Sequence, residues 1–289
     1  RAYAPLVKVA SAFARAGFVV LVPEGLDYDN YRLLPEDVNA IVTGFQWLAQ
    51  QPSVDPARIG FVGLSVGGSL CLVAAADPRI ADDVAVVATV GAYGDLDLVL
   101  QAVTTGYVRS AGGLNPYVPD PLAWLVVRNT LIGGVESESD KKDLLKVFPV
   151  ASPLPDQVAL EQLDLERLTP SGRAVFDLFV NRDPDQVLGL VSRLRETLPG
   201  VLETISPIFH SDGLRAPVML LHDRGDSYVP SAESMRLSRA LGGRIPTELT
   251  MLDVLKHVEI SAPNLSPATL VSSYIPGMWE LFMFTYGTL

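Results

Sequence analysis

Apolar positions recur at helical spacing from Ala4 to Ala16, where Leu6, Val7, Val9, Ala10, Phe13 and Ala14 share one side, and Gly17 stops the repeat. Phe18 to Val22 then runs without a polar break up to Pro23, which predicts a strand buried on both faces. Pro35 to Gln51 returns to the helical period, with Val38, Ile41, Val42, Phe45 and Leu48 on its inner side. Arg58–Leu64 reads as a second buried strand, Val66–Ala76 as a helix, and Val84–Val90 as a third strand. Strands alternating with helices in this way predict an α/β fold, a doubly wound and mostly parallel sheet covered by helices on both faces.

The alternation stops between about residues 95 and 205. Helix candidates Leu122–Ile132, Asp143–Phe148, Leu160–Leu168, Ala174–Val180 and Asp185–Leu198 follow one another between Pro and Gly breaks, with no convincing strand among them. Strand patterns resume at Val218–His222 and Glu248–Leu252, each followed by a helix candidate, Ala232–Leu241 and Pro267–Phe284. The expected organisation is therefore a discontinuous core, residues 1–94 and 206–289, interrupted by a helical cap or lid over residues 95–205.

The glycine and serine positions change this picture from fold to chemistry. Gly63-Leu64-Ser65-Val66-Gly67 falls where the second strand ends and its helix begins, the setting of a nucleophile elbow. A turn that tight excludes bulk beside the serine, a demand that Gly63, Gly67 and Gly68 are expected to meet, and it lifts the hydroxyl above the sheet. Serine needs a base to become nucleophilic, and the usual base is an imidazole held by a carboxylate. The chain has three histidines. His257 lies in the loop after strand Glu248–Leu252, at the carboxyl end of the sheet, where ligand chemistry gathers in folds of this kind. His210 precedes a strand and reads as a surface or cap-contact residue, and His222 as a strand-end residue bonded to nearby backbone.

For the acid, Asp226 sits in the turn before Val229-Pro230, while Asp223 is placed to tie down the loop and Asp95 stands as a second candidate. Taking Asp226, the chain order Ser65, Asp226, His257 is the order of the α/β-hydrolases. One oxyanion donor is the backbone N–H of Val66, the residue after the serine. Tyr28, Tyr31 and Tyr93, near strand ends, are candidates to line a substrate pocket, and Tyr28 and Tyr93 are retained as substrate-binding expectations.

These segments resemble the α/β-hydrolase superfamily, in particular its dienelactone-hydrolase-like and carboxylesterase branches. The run Val54 to Gly68 is similar to the strand-elbow segment of both, and Tyr31-Arg32-Leu33-Leu34-Pro35-Glu36-Asp37 resembles the tyrosine-arginine-leucine stretch of hormone-sensitive-lipase-like esterases. The likeness covers residues 1–94 and 206–289. Serine at the elbow departs from dienelactone hydrolases proper, which carry cysteine, and from haloalkane dehalogenases and soluble epoxide hydrolases, which carry aspartate. The resemblance implies hydrolysis of a carboxylic ester through an acyl-enzyme, with no cofactor and no metal, and the Leu, Val, Phe and Trp124 side chains of the expected cap imply a small to medium apolar substrate. It also implies a strand between those at Phe18–Val22 and Arg58–Leu64 and a second oxyanion donor from the loop after it. The sequence supplies residues for neither, so residues preceding Arg1 are expected to complete the sheet. An acyltransferase using the same three residues, or a hydrolase-like binding module in which Ser65 is a turn residue, remain alternatives at this point.

Composition narrows the partners. The 289 residues are 48% hydrophobic and 19% charged, with a formal net charge of −11. That acidity repels phosphate backbones and anionic head groups, so a nucleic-acid partner is not expected; a small-molecule ester is the partner that the resemblance implies. No apolar run approaches the roughly 20 residues needed to cross a bilayer. A single cysteine, Cys71, excludes an intramolecular disulfide and any cysteine-cluster zinc site. Together these give the expectation of a cytoplasmic enzyme of open oligomeric state, with an export signal ahead of Arg1 left open.

Overall fold

The computed structural model describes residues 4–23, 30–110, 112–253 and 255–260. It divides into two compact units, a sheet unit drawn from Arg1–Gly25, Glu36–Gly94 and Ser206–Leu289, and a helical unit drawn from Leu26–Pro35 and Asp95–Ile205. Tyr28 and the helix expected over residues 267–284 lie outside the described residues.

The sheet unit opens with α1 (Ala4–Arg15) and α2 (Pro35–Ala49). Pro35 suits a first helical turn, and Glu36 and Asp37 there complement the positive end of the helix dipole. Val38, Ile41, Val42 and Phe45 form the buried side, as their spacing predicts. Asp55 then caps a short 3-10 turn, Pro56–Arg58, by accepting a hydrogen bond from Ala57 N at 3.1 Å. That turn takes up Arg58, the first residue of the second expected strand, whose ladder with the strand at Val87–Val90 runs from Phe61.

The strands β1 (Phe61–Leu64) and β2 (Val87–Val90) flank the elbow helix α3 (Val66–Ala75). After the helical unit, β5 (Val218–Asp223), α11 (Ala232–Leu241) and β6 (Thr247–Leu252) complete the pattern. The four strands pair in the order β1-β2-β5-β6, every pair parallel. All six residues of β5 are buried, and Ala88, Met219, Leu221 and Leu252 form a core cluster along the sheet. A two-residue hairpin pair, β7 (Leu255–Lys256) and β8 (Glu259–Ile260), follows β6 and carries the His257 turn.

Phe18–Val22 departs from expectation. Among the described residues it forms no regular element and pairs with no strand, and Phe18, Val19, Val20 and Leu21 are 38–51% exposed. Apolar composition favours an extended chain, yet a strand exists only when a neighbour supplies the ladder of N–H and C=O partners.

The helical unit comprises α4 (Leu96–Thr105), the antiparallel pair β3 (Tyr107–Ser110) and β4 (Gly113–Pro116), then α5 (Pro121–Gly134), α6 (Glu138–Val147), α7 (Gln157–Glu161), α8 (Pro170–Val180), α9 (Val187–Thr197) and α10 (Val201–Thr204). Side-chain caps set most starts: Asp95, Asp120, Ser137, Asp156 and Thr169 each accept a first-turn N–H. The β3–β4 hairpin corrects the reading of a strandless insertion; its residues are mostly exposed and so carry little alternating apolar signal. The helix expected over Leu160–Leu168 is replaced by α7, because Asp164 Oδ1 accepts from Glu166 N at 3.1 Å and turns the chain. Trp124, Phe148 and Phe179 are buried against one another, with ring centroids 4.9 Å (Trp124–Phe179) and 5.1 Å (Phe148–Phe179) apart. Residues of the tyrosine-arginine-leucine stretch belong to this unit: Arg32 Nη2 donates to Gly133 O at 2.8 Å and Leu33 N to Thr130 Oγ1 at 3.0 Å.

Candidate active site

Ser65 occupies the single residue between β1 and α3 with φ 54° and ψ −132°, a left-handed backbone that a side chain rarely adopts. Its surroundings hold it there. Ser65 N donates to Val90 O at 2.7 Å, and Ser65 O accepts from Gly68 N at 2.9 Å. A Cβ on Gly63 would stand 2.4 Å from Gly68 Cα, and one on Gly68 would stand 3.1 Å from Gly63 O. The elbow is therefore built by backbone pressed against backbone at Gly63 and Gly68. Gly67, expected to be part of the same constraint, faces open space with nothing within 4 Å of its would-be Cβ. The spacing rule identifies the turn but misplaces one of its two requirements by a residue.

The first N–H of α3 is that of Val66, which has no intrahelical partner by helix geometry and lies at the positive end of the dipole. This is the position expected of an oxyanion donor.

At the other end of the site, Asp226 and His257 meet. His257 Nδ1 lies 2.6 Å from Asp226 Oδ2, and both side chains are buried. Since the carboxylate only accepts, Nδ1 carries the proton and Nε2 keeps its lone pair. Asp226 is saturated: Oδ1 accepts from Tyr228 N at 2.8 Å and Val229 N at 3.1 Å, and Oδ2 also lies 3.3 Å from His222 Nε2. Burial alone would push this carboxyl up, but the hydrogen bonds from His222 and His257 outweigh it and hold the group well below the ordinary range.

His222 is a residue whose part the sequence does not disclose. It is fully buried, and Nε2 faces two acceptors, Val229 O at 3.0 Å and Asp226 Oδ2, so that nitrogen carries a proton. Nδ1 lies 2.6 Å from Ser234 Oγ. Both nitrogens are thus engaged, whereas among the described residues His257 is bonded through Nδ1. The expected bond to nearby backbone is present; the contact with Asp226 is additional. His210 lies on the 3-10 segment Pro207–Gly213.

Asp223 has the tying function expected of it. Oδ1 accepts from Gly225 N and Oδ2 from Leu255 N, both at 2.8 Å, so one carboxylate clasps the loop bearing Asp226 and the strand leading to His257. Burial pushes its pKa up, against the pull of these two bonds. Asp95, the second candidate acid, is committed elsewhere: it caps α4 through Asp97 N at 3.1 Å and lies 3.5 Å from Arg195 Nη2. Tyr93 is 1% exposed, and Tyr31 lies in the helical unit.

The serine and histidine ends approach the same two residues. Val90 O receives the Ser65 amide, and a Cβ on the next residue, Gly91, would stand 3.0 Å from both Nδ1 and Cε1 of His257. Gly91, at φ +67°, is suited to this approach in both conformation and size. Among the described residues Ser65 Oγ makes no hydrogen bond to the ring; such bonds commonly tighten only when substrate is bound. Among the described residues, too, no group of three or more His, Cys, Asp or Glu is placed to hold a metal ion, and no helix is long and apolar enough to cross a membrane.

No protein-family model matches the chain, and no curated protein matches it. Among solved structures it is similar to an acylaminoacyl peptidase from Pyrococcus horikoshii, with a TM-score of 0.44 and 15% identity over 87% of this chain and 27% of that one. It is also similar to an esterase from Pyrococcus furiosus, with a TM-score of 0.40 and 13% identity over 86% of this chain and 61% of that one. A serine hydrolase from the polyaromatic-hydrocarbon-degrading bacterium Cycloclasticus zankles gives a TM-score of 0.39 and 12% identity over 93% of this chain and 74% of that one. The chain spans about a quarter of the length of the peptidase.

Proposed function

We propose that the protein is a serine hydrolase that cleaves carboxylic esters through an acyl-enzyme, with Ser65 as nucleophile, His257 as general base and acid, and Asp226 as the group that orients His257. The observation that carries this reading is the meeting at Val90–Gly91, where the strained serine and the Asp226-bound imidazole come to adjacent residues. Ser65 Oγ gives its proton to His257 Nε2 as it bonds to the ester carbonyl carbon, and the Val66 N–H stabilises the oxygen that becomes negative. The imidazolium, held by Asp226, then protonates the departing alkoxide. Water, deprotonated by the same nitrogen, attacks the acyl-enzyme and returns Ser65 as the hydroxyl.

The test is covalent labelling by a fluorophosphonate, followed by rates on nitrophenyl esters of increasing acyl length beside the corresponding anilides. The expected result is stoichiometric labelling that Ser65→Ala abolishes, with ester turnover falling about 10⁵- to 10⁶-fold in that variant. A folded wild-type sample that takes no label overturns the reading. Faster cleavage of the anilides overturns the ester assignment while leaving the nucleophile in place.

A further inference from the structure

His257 adopts φ +61°, the second side-chain-bearing residue of the site in the left-handed region. A strained backbone persists where its surroundings over-determine it, and one hydrogen bond to Asp226 fixes a single atom of the ring. A pivot at Nδ1 leaves the ring plane free to tilt, and with it the direction of the Nε2 lone pair. What fixes the plane is an aromatic neighbour two residues beyond the acid. The Tyr228 ring lies parallel to the imidazole, with centroids 4.5 Å apart and planes 18° from parallel. Tyr228 is itself anchored, since its backbone N–H donates to Asp226 Oδ1 at 2.8 Å. The Nδ1–Cε1 edge of the imidazole meets Gly91.

We infer that Tyr228 is a positioning residue for the proposed hydrolysis, its ring holding the plane of the His257 imidazole and favouring the imidazolium that forms as Ser65 gives up its proton. The inference rests on the triad reading above and adds a second point of support for the base, perpendicular to the first. A π face against an imidazole contributes more when the imidazole becomes cationic, because the ring quadrupole attracts charge. The neutral ground state gains less. The stack therefore acts on the transition state and is expected in kcat rather than in KM. Nothing in this role uses the phenol oxygen.

The experiment compares Tyr228→Phe and Tyr228→Leu with wild type in kcat and KM on a nitrophenyl ester and in the fluorophosphonate labelling rate, each sample normalised by thermal melting to its folded fraction. The expected result is a kcat about 3- to 30-fold lower in Tyr228→Leu with KM within about twofold, a parallel loss in labelling rate, and near-wild-type values in Tyr228→Phe, which keeps the ring. A folded Tyr228→Leu with unchanged kcat overturns the inference. So does a change confined to KM, which makes Tyr228 a substrate contact, or a Phe variant as slow as Leu, which transfers the effect to the hydroxyl. If Tyr228→Leu does not fold, the Phe variant still decides, since the inference requires it to retain activity. Failure of the triad reading is distinguishable, because it appears as a wild-type protein that neither labels nor turns over.

Discussion

The two halves of the site are built on different principles. The elbow, Gly63 to Gly68, is local: six consecutive residues press backbone on backbone and force Ser65 into φ 54°. The acid–base half is assembled from β5, β6 and the turns after them, with Asp226 and His257 separated by 31 residues and joined at 2.6 Å. A local device is read from a short motif, whereas a long-range one is read only from chain order and the logic of the sheet. The contrast also says where each half is fragile. The elbow fails by steric clash, and the acid–base half by loss of a bond or of ionisation.

The largest separation between the two comes from Asp226→Asn, which leaves the elbow untouched. Nδ1–H of His257 loses its carboxylate, the other tautomer becomes accessible, and kcat on a nitrophenyl ester should fall about 10⁴-fold. The same carboxyl gives the acid–base half a pH signature. Its pKa is held below that of the unfolded chain, so its contribution to stability is complete above about pH 4 and is lost as pH falls through the lower folded value. Urea unfolding at stepped pH should show the wild type losing stability below that point with a steeper slope than Asp226→Asn.

Next in size, Gly63→Ala attacks the elbow. A methyl at 2.4 Å from Gly68 Cα forces two backbones apart, and a loss of about 3 kcal/mol or more is expected by chemical denaturation. Ser65→Gly should move the other way. Removing the side chain relieves the left-handed strain, raising stability by about 1–3 kcal/mol while abolishing fluorophosphonate labelling. The smallest change is Gly67→Ala, whose new methyl meets open space inside a helix; stability should rise by about 0.5–1 kcal/mol. A Gly67→Ala variant as damaged as Gly63→Ala would show that the clash map of the elbow is wrong.

Legibility followed the same division. The periods of α1 and α2 were readable because an amphipathic helix advertises its inner side within its own residues, α3 and α11 from their places after strands, and β5 because a buried parallel strand carries an apolar run. Phe18–Val22 carries the same apolar signal as β5 and yet pairs with nothing described, since pairing is a property of the neighbour and not of the run. The β3–β4 hairpin was invisible for the opposite reason: exposed strands need no apolar pattern. In the site, Ser65 followed from glycine spacing, and Asp226 and His257 from their placement after strands. His222 and Tyr228 did not, although both flank Asp226 in sequence, because a bond to Nε2 and a parallel ring are facts of orientation. The aromatic residue two positions past the acid was the one available signal.

Asp223 has a mechanical consequence. Its two oxygens grip Gly225 on one loop and Leu255 on the other, so Asp226 and His257 ride on a single riveted plate. In the proposed hydrolysis, a tilt of that plate would vary the gap to Ser65 while preserving the one between carboxylate and imidazole, which would leave a lone coordinate to govern when the proton crosses.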